Sequence, residues 1–153
     1  MYRIFLTIPI SAMITPRCSS LLYAVLLNKS KIYLYLYGDS ESLDMKTIYL
    51  AGGCFWGTEH YMRQLDGVAA TVVGYANGEV ESPSYEEVYT DKTGHVECVK
   101  VVYDEDVVSL ANVCRMFFRS IDPLLLNRQG SDCGTRYRTG IYWNDEEDRI
   151  VIE

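Results

Sequence analysis

The sequence has no run of lysine or arginine, and its formal net charge is −7. A partner that binds through a phosphate backbone requires a cationic footprint, so nucleic acid is excluded as a main ligand. Arg128, Arg136 and Arg138 lie close in sequence but are too few to line a groove. Histidine is scarce, with only His60 and His95, and there is no Cys-x-x-Cys pair. A zinc site therefore has little to draw on, and His95 and Cys98 on one strand would point to opposite faces. No metal and no bound cofactor is expected. Long apolar runs are also missing. The charge-free stretch between Arg3 and Arg17 has 13 residues, whereas a membrane helix needs about 20. There is no internal repeat and no low-complexity tract.

What is present is 153 residues, 48% hydrophobic and 23% charged, enough for one domain with a sizeable core. The five cysteines, Cys18, Cys54, Cys98, Cys114 and Cys133, are odd in number and widely spaced. They read as thiols of a reducing compartment rather than a disulfide framework. A cytoplasmic location is expected, with export as the alternative if residues 1–44 act as a signal. Those residues differ from the rest, with short apolar runs broken by Pro9, Pro16, Arg17 and Lys29. They are read as an extension outside the functional domain, which is expected over residues 45–153.

From Met45 the pattern tightens. Residues 47–50 read as a strand, and a helix follows over 54–65 with Phe55, Thr58, Met62 and Leu65 on one face. Residues 68–73 are β-rich, and 74–84 carry the loop signals Asn77-Gly78 and Pro83. A short turn of helix or strand covers 85–90, and a strand covers 95–103. Ser109 caps a second helix whose face is Leu110, Cys114, Phe117 and Ile121. A long loop covers 124–138, and 139–143 return as a strand. Asn144 and Glu147 have capping-box spacing for a last helix. The order predicts an α+β fold, a two-layer sandwich with a ferredoxin-like β-α-β-β-α-β core.

The chemistry concentrates at Gly52-Gly53-Cys54-Phe55-Trp56-Gly57. A strand ends, two glycines turn the chain and a cysteine opens a helix. The helix dipole and unpaired amides there favour an anion, so Cys54 is expected to act as a thiolate nucleophile. The alternative is a small buried residue at a corner. Phosphate binding is weaker still, because neither G-x-G-x-x-G nor a P-loop lysine is present. Phe55 and Trp56 are consecutive, so they cannot both point into a core, and one should face the opening beside Cys54. Glu97 shares a strand face with Val99, Val101 and Tyr103. Desolvation there would raise its pKa and make it a usable acid; the alternative is an edge-strand glutamate reaching water. Cys98 should point the other way.

Gly53-Cys54-Phe55-Trp56-Gly57, Gly74-Tyr75, Pro83-Ser84-Tyr85, Gly94-His95-Val96-Glu97 and the stretch from Asn127 to Arg138 closely resemble the peptide-methionine (S)-S-oxide reductase (methionine sulfoxide reductase A) family. The resemblance runs from about Met45 to Glu153, in order. It implies Cys54 as nucleophile, Phe55 and Trp56 as the pocket for the substrate methyl, and Glu97 as the acid. It implies Tyr85 and Tyr137 as hydroxyls on the sulfoxide oxygen and Asp132 as a carboxylate of the same site. The implied activity is reduction of the S epimer of methionine sulfoxide, protein-bound or free, through a sulfenic acid recycled by thioredoxin or another thiol. A monomer is expected. The chain reads as C-terminally truncated relative to the family, which leaves the resolving thiol open. Cys133, beside Asp132, is the internal candidate. Two other readings remain: an acyl-transfer enzyme pairing Cys54 with His60 or His95, and a non-catalytic domain that binds oxidised partners.

Overall fold

A computed structural model of the chain describes residues 45–153, and the expectations for residues 1–44 lie outside them. Strand β1 (Met45–Ala51) contains the stretch expected at 47–50 and ends fully buried. Helix α1 (Phe55–Met62) buries Phe55, Thr58 and Met62, the face its spacing predicts. It is shorter than 54–65. Cys54 is its N-cap, and the amides of Gln64 and Leu65 bond back only three residues, to Tyr61 and Met62.

Strand β2 (Val68–Ala76) runs past the expected loop start at residue 74. Gly74, Tyr75 and Ala76 pair with Cys98, Glu97 and Val96 on β3 (Val96–Asp104), so backbone pairing overrides the weak strand preference of glycine. Between them lies α2 (Tyr85–Tyr89), a five-residue helix. The Ser84 hydroxyl accepts from the Glu87 amide at 3.2 Å, and the Glu87 carboxylate accepts from the Ser84 amide at 2.8 Å. This reciprocal box holds a helix too short to stand on propensity.

Helix α3 (Leu110–Ser120) starts at the expected cap, where the Ser109 hydroxyl accepts from the Asn112 amide. It buries Leu110, Val113, Cys114 and Phe117. The expected loop at 124–138 contains a small hairpin, β4 (Arg128–Gln129) with β5 (Asp132–Cys133), and a 3-10 turn over Thr135–Tyr137. Strand β6 (Gly140–Tyr142) follows, then α4 (Glu146–Ile152), none of whose residues is buried. The last helix is capped at Asp145 rather than Asn144. Asn144 instead donates its amide to the Tyr49 hydroxyl at 3.5 Å.

The result is a mixed α/β fold with one four-stranded sheet in the order β2-β3-β1-β6, every neighbour antiparallel. β3 is therefore interior, flanked by β2 and β1. Helix α1 packs on β2, β3 and α3. The opposite sheet face gathers Tyr49, Ala51, Ala76, Val96, Cys98 and Tyr142. Glu97 faces away from Cys98, as strand alternation requires.

Candidate active site

The site begins where β1 ends. Leu50 pairs with Val99, so the same register carried two residues further sets Gly52 opposite Glu97. There the chain turns. Gly53 adopts φ +83, a left-handed conformation, and a Cβ on it would run into the Gln129 side chain. The hairpin β4–β5 thus lies directly against the turn that precedes Cys54. Gln129 is fixed in place by the Asp122 amide and carbonyl and by the Thr139 hydroxyl. Its cross-strand partner is Asp132.

Cys54 is partly exposed at the helix N-terminus, and its carbonyl accepts from the Gly57 and Thr58 amides. The next amide, that of Phe55, donates to Glu97 Oε2 at 2.9 Å. This contact binds one of the amides that a helix N-terminus leaves without an intrahelical partner. It also brings the carboxylate to the residue adjoining Cys54. Glu97 is only 4% exposed on an interior strand, so the edge-strand alternative is excluded. Burial raises the Glu97 pKa above the ordinary carboxylate range, although the Phe55 amide and the Arg136 charge pull it down; Asp132 adds to the rise.

The two aromatics separate as expected for consecutive helix positions. Phe55 is 3% exposed and Trp56 48%. Their rings meet edge to face, with centroids 5.2 Å apart, and Phe55 also lies 5.8 Å from the Tyr75 ring. Tyr75 stands in the Gly74-Tyr75 motif but received no role from sequence, because thirteen tyrosines give no single one prominence. It is almost fully buried opposite Glu97, and its hydroxyl has no hydrogen-bond partner in the described structure. Its pKa is raised by burial first, then by Glu97, Tyr85, Glu86 and Tyr137. Burial also raises that of Tyr137; Glu97 and Asp132 push the same way and Arg136 opposes. Glu97, Asp132, Tyr85 and Tyr137 therefore share one electrostatic neighbourhood beside α1.

The remaining thiols and the two histidines sort by burial and contacts. Cys98 is fully buried and its thiol is pushed far above its ordinary value by desolvation; Cys114 is pushed up to about 11 for the same reason. Cys133 is a free, exposed thiol paired across the hairpin with Arg128. His60 is exposed, with Nδ1 against Arg63, and His95 is buried with neither ring nitrogen bonded. Neither histidine bonds Cys54, so the acyl-transfer dyad has no geometric support. Among the described residues no group of three or more His, Cys, Asp or Glu side chains is placed to hold a metal ion. Nor does any described helix have the length and apolarity to cross a membrane.

Residues 46–153 match the family model described as peptide methionine sulfoxide reductase. The chain belongs to that family. Peptide methionine sulfoxide reductase MsrA of Clostridium botulinum (strain Hall) is 55% identical over 108 residues, which are 71% of this chain and 69% of that protein. The MsrA of Alkaliphilus metalliredigens is 57% identical over 108 residues, 71% of this chain and 68% of its own. Among solved structures, methionine sulfoxide reductase A of Corynebacterium diphtheriae superposes with a TM-score of 0.67 at 35% identity, covering 72% of this chain and 56% of that one. Reduced Mxr1 from Saccharomyces cerevisiae gives 0.67 at 37% identity, covering 74% and 67%. The stretches that hold Cys54 and Glu97 are two of the five that carry the resemblance to this oxidoreductase family in the sequence.

Proposed function

We propose that the chain reduces the S epimer of methionine sulfoxide, in proteins or free, with Cys54 as nucleophile and Glu97 as general acid. The observation that carries this reading is the hydrogen bond from the Phe55 amide to Glu97. It joins a buried carboxyl of raised pKa to the residue next to a partly exposed helix-capping cysteine. Family membership over residues 46–153 supports the same reading.

The deprotonated Cys54 sulfur attacks the sulfoxide sulfur while Glu97 protonates the sulfoxide oxygen, which is a poor leaving group until it gains that proton. The oxygen passes to Cys54 as a sulfenic acid, methionine leaves, and the substrate sulfur is reduced by two electrons. Tyr85 and Tyr137 steady the oxygen as charge develops, and Asp132 lines the same site. Trp56 and Phe55 form the wall for the substrate methyl. A thiol then attacks the sulfenic sulfur, water leaves, and the disulfide formed is exchanged away by a dithiol such as thioredoxin. Cys133, being exposed, is the internal candidate for that thiol, and no resident cofactor is required. We also read the strand order as the split β-α-β arrangement of a ferredoxin-like fold.

The test uses a peptide carrying resolved S or R methionine sulfoxide, with dithiothreitol as reductant. Methionine should form from the S peptide, and from neither peptide with Cys54→Ser. Equal turnover of both epimers would remove the stereochemical part of the reading.

A further inference from the structure

Arg136 is among the few charged residues with little exposure, 9% for the whole residue. The roles above leave it without one. Its guanidinium carbon lies 4.2 Å from the centroid of the Tyr89 ring and 4.6 Å from that of Tyr137. Asp91 holds it from two directions: Asp91 Oδ2 accepts from Nη1 at 2.8 Å, and Oδ1 accepts from the Arg136 backbone amide at 3.0 Å. Nη1 also donates to the Tyr89 carbonyl at 3.2 Å, and the Thr135 hydroxyl donates to Asp91 Oδ1. Gly134, at φ +136, leaves room for this clamp, since a Cβ there would meet Asp91 Oδ2 at 2.6 Å. Tyr85 in turn stacks on Tyr89, with centroids 5.9 Å apart and planes 28° from parallel.

These contacts form one chain from Tyr85 through Tyr89 and Arg136 to Tyr137. Its ends are the two hydroxyl-bearing residues assigned to the sulfoxide oxygen, and they come from segments about fifty residues apart in sequence. Tyr85 is 49% exposed and α2 is short, so little else fixes that ring. A planar cation stacked on aromatic rings and paired to a carboxylate is a rigid spacer, which an ammonium group could not reproduce.

We infer that Arg136 is a positioning residue, which sets the Tyr85 and Tyr137 hydroxyls relative to each other across two segments of the chain. This rests on the reductase reading for its purpose, and on the contacts above for its geometry. Arg136 has a second effect through its charge, because it opposes the burial that raises the Glu97 pKa.

Three variants separate these effects. Arg136→Lys keeps the charge and loses the planar stack. Tyr89→Leu breaks the stack at an exposed position, where loss of folding is not expected. Both should lower kcat about ten- to a hundredfold, the scale of a misplaced catalytic contact, and leave the basic limb of the pH profile in place. Arg136→Met should lower kcat and also move that limb to higher pH, since Glu97 stays protonated longer once the cation is gone. In protein labelled with 13C in its tyrosine rings, the Tyr85 and Tyr137 signals should shift in both Arg136→Lys and Tyr89→Leu. Unchanged kcat and unchanged ring signals in the two folded variants would overturn the inference. If the wild-type protein forms no methionine, the reductase reading fails, and the ring signals still decide the positioning.

Discussion

At the residue scale, the site depends on sorting similar side chains by environment. Four described cysteines divide into two buried thiols whose pKa is raised and two accessible ones, Cys54 and Cys133. Thiolate is the reactive form, so burial removes Cys98 and Cys114 from the chemistry. Native protein treated with iodoacetamide at neutral pH should be modified at Cys54 and Cys133 and not at Cys98 or Cys114, as read by peptide mass mapping. Equal labelling of Cys98 would contradict the packing of the sheet. Glu97 is sorted in the same way, by desolvation. A carboxyl whose folded pKa is raised destabilises the fold as pH rises from its unfolded value through its folded one, because the native state then must bury a charge. Glu97→Gln should therefore melt at a higher temperature than the wild type at pH 7, with the difference shrinking at acid pH. The same variant should keep Cys54 alkylation and lose about a hundred- to ten-thousandfold in turnover, the usual worth of a positioned acid. Unchanged turnover would remove Glu97 as the acid.

At the scale of elements, legibility followed length and period. Strand β3 and helices α1 and α3 were readable because their apolar residues repeat at 2 or 3.6 over a useful span. The end of β2 was not, because Gly74 and the Asn77-Gly78 turn imitate a loop while pairing to β3 keeps the strand going. The hairpin β4–β5 has strands of two residues and so no period to detect. It nevertheless carries Asp132 and presses Gln129 against Gly53. Tyr85, Asp132 and Tyr137 were accordingly given roles only through resemblance to a family, and Tyr75 and Arg136, though within the resembling stretches, were given none. Helix α2 did carry a local signal, Ser84 with Glu87 three residues on, which the structure uses as a capping box. Ser84→Ala should cost about 1 kcal/mol of stability in urea unfolding, the typical value of a lost cap. A loss near zero would mean that the site loop, rather than the box, holds α2.

At the scale of the molecule, two arginines of an acidic chain, Arg136 and Arg138, serve internal joints. Arg138 donates to the carbonyls of Thr135 at 2.9 Å, Gly94 at 2.8 Å, Asn77 at 3.3 Å and His95 at 3.4 Å. One side chain so ties the end of β2, the start of β3 and the 3-10 turn that precedes β6. The sequence showed Arg128, Arg136 and Arg138 only as a basic cluster too small for a groove. The use of Arg136 and Arg138 as staples could not be read because their distant acceptors lie some forty to sixty residues away, whereas Arg128 reaches only the Gly130 carbonyl two residues on. Arg138→Met should lower stability by about 2 kcal/mol, the scale of hydrogen bonds made to a charged group, as measured by chemical denaturation. A change within 0.5 kcal/mol, the usual range for surface substitutions, would show that the staple is replaceable by water.

The central claim is that Cys54 itself takes the sulfoxide oxygen, with the adjoining Glu97 supplying the proton. Single turnover without reductant tests it most directly. One equivalent of methionine should form per folded chain. Mass mapping should find Cys54 carrying one added oxygen, or joined to Cys133 if that thiol resolves the sulfenic acid. Folded protein that releases no methionine and leaves Cys54 unmodified would contradict the account.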